Sequence, residues 1–132
     1  MDWRLTAEED RMAKVKQLTI SLENRPGALA EVAQLLAGAK VNLVALLGSS
    51  AGAQGSAQLV VDQASKAKKA LEKAGFSCTE GTLESFELIN KPGELAKVLG
   101  KLAKKGVNLD SAYATTPKGG KKATLLVAVS KQ

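Results

Sequence analysis

The chain has 132 residues, a net charge of +6 and no histidine, so the usual neutral-pH general base and the commonest metal ligand are both missing. Nearly half of its residues are apolar, but only Trp3, Phe76, Phe86 and Tyr113 are aromatic, which predicts an aliphatic core. A lone Cys78 excludes an internal disulfide, fits a reducing compartment and reads as a small half-buried strand residue.

The opening stretch, residues 1–14, is charged rather than apolar. It predicts neither a signal peptide nor a membrane span, and hence a soluble cytoplasmic protein. Thr6-Ala-Glu-Glu9 reads as a capping box opening a short helix to about Lys14, with a disordered tail as the other reading. Val15–Leu22 alternates well enough for a strand. Pro26 fits the first position of a helix, with Asn24 or Arg25 near its N-cap. Leu29, Val32, Ala33 and Leu36 then form one apolar stripe, and Gly38 reads as the stop. Val41–Leu47 and Ser56–Val61 read as a hairpin around Gly48–Gly55, followed by a helix over Gln63–Ala74 and a short strand over Phe76–Thr79.

The chain then repeats itself. Asn24–Leu43 and Asn90–Leu109 are sixty-six positions apart and share eleven of twenty residues, so the second stretch is a duplicate of the first. Thr82–Leu88 reads as a strand. Pro92 opens a helix with the stripe Leu95, Val98, Leu99 and Leu102, Gly106 stops it, and strands follow over Val107–Thr115 and Ala123–Val129. Held at the same offset, Leu59-Val60-Val61 matches Leu125-Leu126-Val127. The predicted organisation is an extension (1–14), a first β-α-β-β-α-β unit (15–80) and a second unit (81–132) lacking the last helix and strand. That omission leaves a sheet edge to be covered by the extension or by a second copy, so a homodimer is expected.

A polar strand end, then Asn-Arg/Lys-Pro-Gly-x-Leu-Ala-x-Val, a helix and Val-Asn-Leu resembles the ACT domain, a small ligand-sensing module of amino-acid metabolism. The resemblance covers Val15 to about Thr79 as a full copy and Thr82–Val129 as a shortened one. It implies an α+β fold of two ferredoxin-like units side by side, their antiparallel sheets bearing helices on one face, in a continuous eight-stranded sheet. It also implies an amino acid bound where the strand-helix loop of one unit meets its neighbour. The positions it points to are Asn24, Arg25, Pro26 and Gly27, their counterparts Asn90, Lys91, Pro92 and Gly93, and as a second tier Asn42 and Asn108.

The residues speak for that role on their own terms. A helix N-terminus offers free N–H groups and partial positive charge to a carboxylate, glycine permits close approach, and asparagine both donates and accepts. The structural alternative is that Asn caps, Pro starts the helix and Gly packs. Ala28 and Glu94 differ just after the two glycines, which predicts an asymmetric pair with one working site. No paired carboxylate, nucleophile triad, phosphate loop or metal cluster emerges, so neither catalysis nor a cofactor is expected. The reading is a non-catalytic amino-acid sensor that regulates a partner enzyme or regulator. Its alternatives are an assembly module without a ligand and a basic RNA-binding ferredoxin-like protein. The last lacks the exposed aromatic rings that a base-stacking sheet needs.

Overall fold

The computed structural model describes residues 12–129, which form six strands and three helices: β1 (Met12–Glu23), α1 (Ala28–Gly38), β2 (Leu43–Ala51), β3 (Gln54–Val61), α2 (Ala64–Lys73), β4 (Cys78–Ile89), α3 (Glu94–Lys104), β5 (Leu109–Thr115) and β6 (Lys122–Val129). They divide into two compact units, Lys16–Gly81 and Thr82–Val129, the latter taking in Met12–Val15.

In the first unit the strand order is β2-β3-β1-β4, with β1 and β2 antiparallel to β3. The period of two in β1 sends Leu18, Ile20 and Leu22 to one face, where Ala57 and Leu59 of β3 join them. The period of 3.6 in the helices supplies the cover: Val32 and Leu36 from α1, Ala67 and Leu71 from α2, all buried against those strands. Burial of each such leucine or isoleucine stabilises the unit by about 1.5–3 kcal/mol. Both helices therefore lie on one face of an antiparallel sheet, the α+β arrangement of a ferredoxin-like unit.

The second unit follows the same plan with β1, β4, β6 and β5 as its strand order. Phe86 and Leu88 of β4, Val98 and Leu102 of α3, and Leu125 and Val127 of β6 build its core. Met12, at the leading end of β1, packs against that core. Met12–Val15 thus stands where a full copy would place its fourth strand.

Several expectations change. Met12–Lys14 is strand, because an extended β1 puts the Met12 side chain on apolar neighbours; the rest of the expected helix, Thr6–Arg11, lies outside the described residues. Phe76–Thr79 and Thr82–Leu88 are not separate strands. Glu80 and Gly81 continue the extended backbone, and β4 runs unbroken for 12 residues. Two full copies would hold eight strands, whereas the described residues form six.

Pro26 and Pro92 are not first helical residues. Each occupies the second position of a turn whose third position is a left-handed glycine, Gly27 (φ 83, ψ −8) or Gly93 (φ 91, ψ −16). The turns close through Ala28 N–H to Arg25 O (3.3 Å) and Glu94 N–H to Lys91 O (3.4 Å). Proline then glycine is the signature of a type II turn, and it makes glycine rather than asparagine the N-cap. Nor does Gly38 stop α1. Lys40 N–H bonds Ala37 O (3.0 Å) and Val41 N–H bonds Leu36 O (2.9 Å), and Gly106 and Val107 repeat both bonds at 3.0 Å in α3. The left-handed residue is therefore Lys40 (φ 59) in one copy and Gly106 (φ 74) in the other, at the same offset.

Finally, the offset of sixty-six does not survive the second hairpin. Leu18 pairs with Leu59 while Glu84 pairs with Val127, so β6 corresponds to β3 at sixty-eight. The first hairpin turns between Ala51 and Gln54; the second needs Thr116–Lys121, around a turn closed by Gly120 N–H to Pro117 O at 2.8 Å. Leu59 thus matches Val127 rather than Leu125.

Candidate functional site

In the first unit β1 ends at Glu23 and the chain enters the Arg25–Ala28 turn, which delivers it to α1 in a fixed direction. The turn is braced against the β2–β3 hairpin by two hydrogen bonds from one residue. Asn24 N–H donates to Ala53 O (2.9 Å), and its side-chain Nδ2 donates to Gly52 O (2.7 Å). Asn90 makes the same pair with Lys121 O (2.8 Å) and Gly120 O (3.0 Å). The amide nitrogen of each asparagine is thereby aimed at a hairpin carbonyl.

Between the braced turn and the hairpin lies an open cleft of about 260 Å³. Leu22, Glu23, Asn24, Arg25, Ala28 and Leu29 form one wall, and Gly48–Ser50 with Gly55 and Ser56 form the other. The second wall is shallow because its residues are small. A Cβ on Gly48 would touch Leu29 Cδ2 at 3.6 Å, and one on Gly55 would crowd Ser49 O at 3.3 Å. Another cleft, of about 310 Å³, opens beyond the same turn toward Gly75, Phe76 and Ser77, and Leu22, Glu23, Arg25 and Ala28 line it too.

Charge at the mouth is paired. Arg25 Nη2 reaches Glu31 Oε2 at 2.9 Å and its Nε reaches Glu23 Oε2 at 3.1 Å. The hydrogen bonds to Glu31 and then Glu23 push the guanidinium pKa up, so Arg25 stays charged. These pairs are exposed, which leaves them exchangeable for a ligand's charges at little cost. The first-turn N–H groups of α1 have no intrahelical acceptor and add partial positive charge beside Ala28.

Of the residues singled out by sequence, Asn24 and Arg25 line the cleft, while Pro26 and Gly27 shape the turn behind it. Asn90, Lys91, Pro92 and Gly93 build the matching turn of the second unit. Asn42 is elsewhere: it precedes Gly48 by six residues, about 20 Å along a strand, and its N–H bonds Asp62 Oδ1 at 2.9 Å. Asn108 holds the corresponding place before β5. Sequence reasoning missed the hairpin wall. Its signal was the run Gly48-Ser-Ser-Ala-Gly-Ala-Gln-Gly55, read as turn flexibility when the small residues also leave room.

Among the described residues no group of three or more His, Cys, Asp or Glu is placed to hold a metal ion, and no helix is long and apolar enough to cross a membrane. Two repeated units, each with a strand-turn-helix connection braced by an asparagine against a hairpin, define the class of protein. The model of the ACT domain pair matches residues 13–129, and the chain belongs to that family. A solved structure of a Bacteroides thetaiotaomicron protein is similar at 33% identity and TM-score 0.84, over 91% of this chain and 82% of that one. The ligand-free regulatory subunit of aspartate kinase from Thermus thermophilus shares the fold at 20% identity and TM-score 0.66, over 88% of this chain and 85% of that one. The Thermus flavus regulatory subunit does so at 19% and 0.63, over 88% and 86%. Among curated proteins there is no match.

Proposed function

We propose that the protein is a non-catalytic regulatory module whose first unit takes a free amino acid in the cleft between the Asn24–Ala28 turn and the β2–β3 hairpin. One observation carries this: a small-floored cleft at a helix N-terminus with both charge signs, Glu23 and Arg25, at its mouth. A zwitterion matches that layout. Its carboxylate meets the first-turn N–H groups of α1 and the Arg25 guanidinium, and its ammonium meets Glu23. At about 260 Å³ the cleft falls below the roughly 300–1,000 Å³ of sites for drug-sized ligands, which favours a single amino acid.

Membership of the ACT domain pair family supports the regulatory part, as does a fold shared with aspartate kinase regulatory subunits. The ligand acts by favouring one arrangement of a partner enzyme or regulator, and only its differential affinity for that arrangement transmits a signal. A homodimer is part of the reading. Val44 and Leu46 of β2 are exposed, and a second copy covering them would register in sedimentation as a doubled mass.

The test is thermal unfolding with each amino acid at millimolar concentration. A ligand at about 100-fold over its Kd stabilises the fold by roughly 2.7 kcal/mol and raises Tm by several degrees. Arg25→Met and Gly27→Leu remove that shift, the second because a β-carbon at φ 83 distorts the turn. A panel that leaves Tm unchanged throughout rules out the amino-acid reading.

A further inference from the structure

The offset of sixty-eight beyond the second hairpin permits a wall-by-wall comparison of the two units. Small residues of the first cleft are answered by larger ones: Gly48 by Ala114, Ser49 by Thr115, Gly55 by Ala123, Ser56 by Thr124 and Ala28 by Glu94. Glu94 fills most. As the first residue of α3 its side chain is only 16% exposed, with its carboxylate 3.4 Å from Lys91 Nζ and 3.8 Å from Lys97 Nζ.

The charges are inverted as well. In the first unit a central cation, Arg25, is held by two carboxylates, Glu23 and Glu31. At the corresponding places the second unit has Ile89 and Lys97, and its central group is an anion, Glu94, held by two ammonium groups. A carboxylate over a helix N-terminus, paired with cations, is the state that a bound amino acid's carboxylate would produce.

We infer that the second unit is self-occupied: Glu94 is a tethered carboxylate in the place of a ligand, so each chain presents one competent amino-acid cleft, the first. This rests on the function proposed above and fixes where in the chain it operates. The second unit keeps the fold of a sensor and is held in a permanently liganded form. Ala28 and Glu94 decide between the two states, since the turns before them share their backbone conformation.

The experiment uses the full chain labelled with ¹⁵N and the same amino-acid panel, with the backbone N–H signals of Gly27 and Gly93 reporting each unit separately. In the natural chain the active amino acid shifts Gly27 and leaves Gly93 in place. Ala28→Glu weakens binding by at least about tenfold, whereas Glu94→Ala with Ala114→Gly brings Gly93 into the titration. The dispersion of each variant's ¹⁵N spectrum serves as the folding control. Equal shifts at both glycines in the natural chain, or undiminished binding by Ala28→Glu, overturn the inference while leaving the sensor reading standing. Silence at both glycines in the natural chain instead removes the sensor reading. The self-occupied site then survives only if the Glu94→Ala, Ala114→Gly chain responds at Gly93, and silence there sinks it too.

Discussion

Lys40 is the one described non-glycine residue with a positive φ, and it sits where the structure otherwise demands glycine. All three helices end in the same pair of closing bonds, and the left-handed residue is Gly75 (φ 96) after α2 and Gly106 (φ 74) after α3. After α1 it is Lys40 at φ 59. For a residue with a β-carbon that conformation costs about 1–2 kcal/mol. Lys40→Gly recovers this strain but adds about 0.5–1 kcal/mol of unfolded-chain entropy, and it gives up roughly 0.3 kcal/mol of favourable charge at the helix C-terminus. The net expectation is a stabilisation of about 0.5 kcal/mol, or a rise in Tm of about 2 °C for a chain of this size. The bonds around the position persist in the variant, because they use the backbone N–H of residues 40 and 41 and the Lys40 carbonyl that Gln63 Nε2 reaches at 3.4 Å. Gly106→Lys is the reciprocal and should lower Tm by a similar amount. Urea and thermal unfolding of both variants supply the check. A Lys40→Gly chain that melts below the natural one, or a Gly106→Lys chain that melts with it, refutes the capping argument.

Two further outcomes are expected. Asn24→Ala removes the 2.7 Å bond to Gly52 O and should destabilise the first hairpin by about 1 kcal/mol; hydrogen exchange at the β2–β3 turn reads it, and Asn90→Ala should do the same for the β5–β6 turn. Burial, with Glu72 nearby and Lys68 opposing, pushes the Cys78 thiol above its usual value. The folded state thus favours the neutral thiol, and alkylation at pH 8 should be slower than for the unfolded chain, the difference closing as pH rises through the folded pKa.

Much of the fold was legible in the sequence because its signals are local. The duplicated Asn-x-Pro-Gly stretch marks two strand-to-helix connections, and the spacing of Val32 with Leu36, and of Val98 with Leu102, gives the buried side of each helix, while Leu29, Ala33 and Leu95 of the expected stripes are exposed at its edge. Where the reading failed, competing local signals were equally good. Pro26 suits a helix start as well as a type II turn, and only the left-handed Gly27 decides between them. Gly38 looks like a helix stop, but Leu36 and Val41 are both buried in the core, and joining them across the helix end makes Lys40 the left-handed residue.

The sequence by itself determined that the chain is a tandem of two units on a β-α-β-β-α-β plan, the second lacking the last helix and strand, and that Ala28 and Glu94 distinguish them. Tertiary structure decided the rest. Strand register depends on hairpin length, so the longer Thr116–Lys121 connection moves β6 two places against the repeat, which no single-strand pattern records. Likewise the cleft joins a turn at Asn24–Ala28 to small residues at Gly48–Ser50, Gly55 and Ser56, and it exists because a hydrogen bond and a strand pairing bring distant segments together. Local propensity can specify a turn or a helix face, but a cavity is the space between elements, and only their packing defines it.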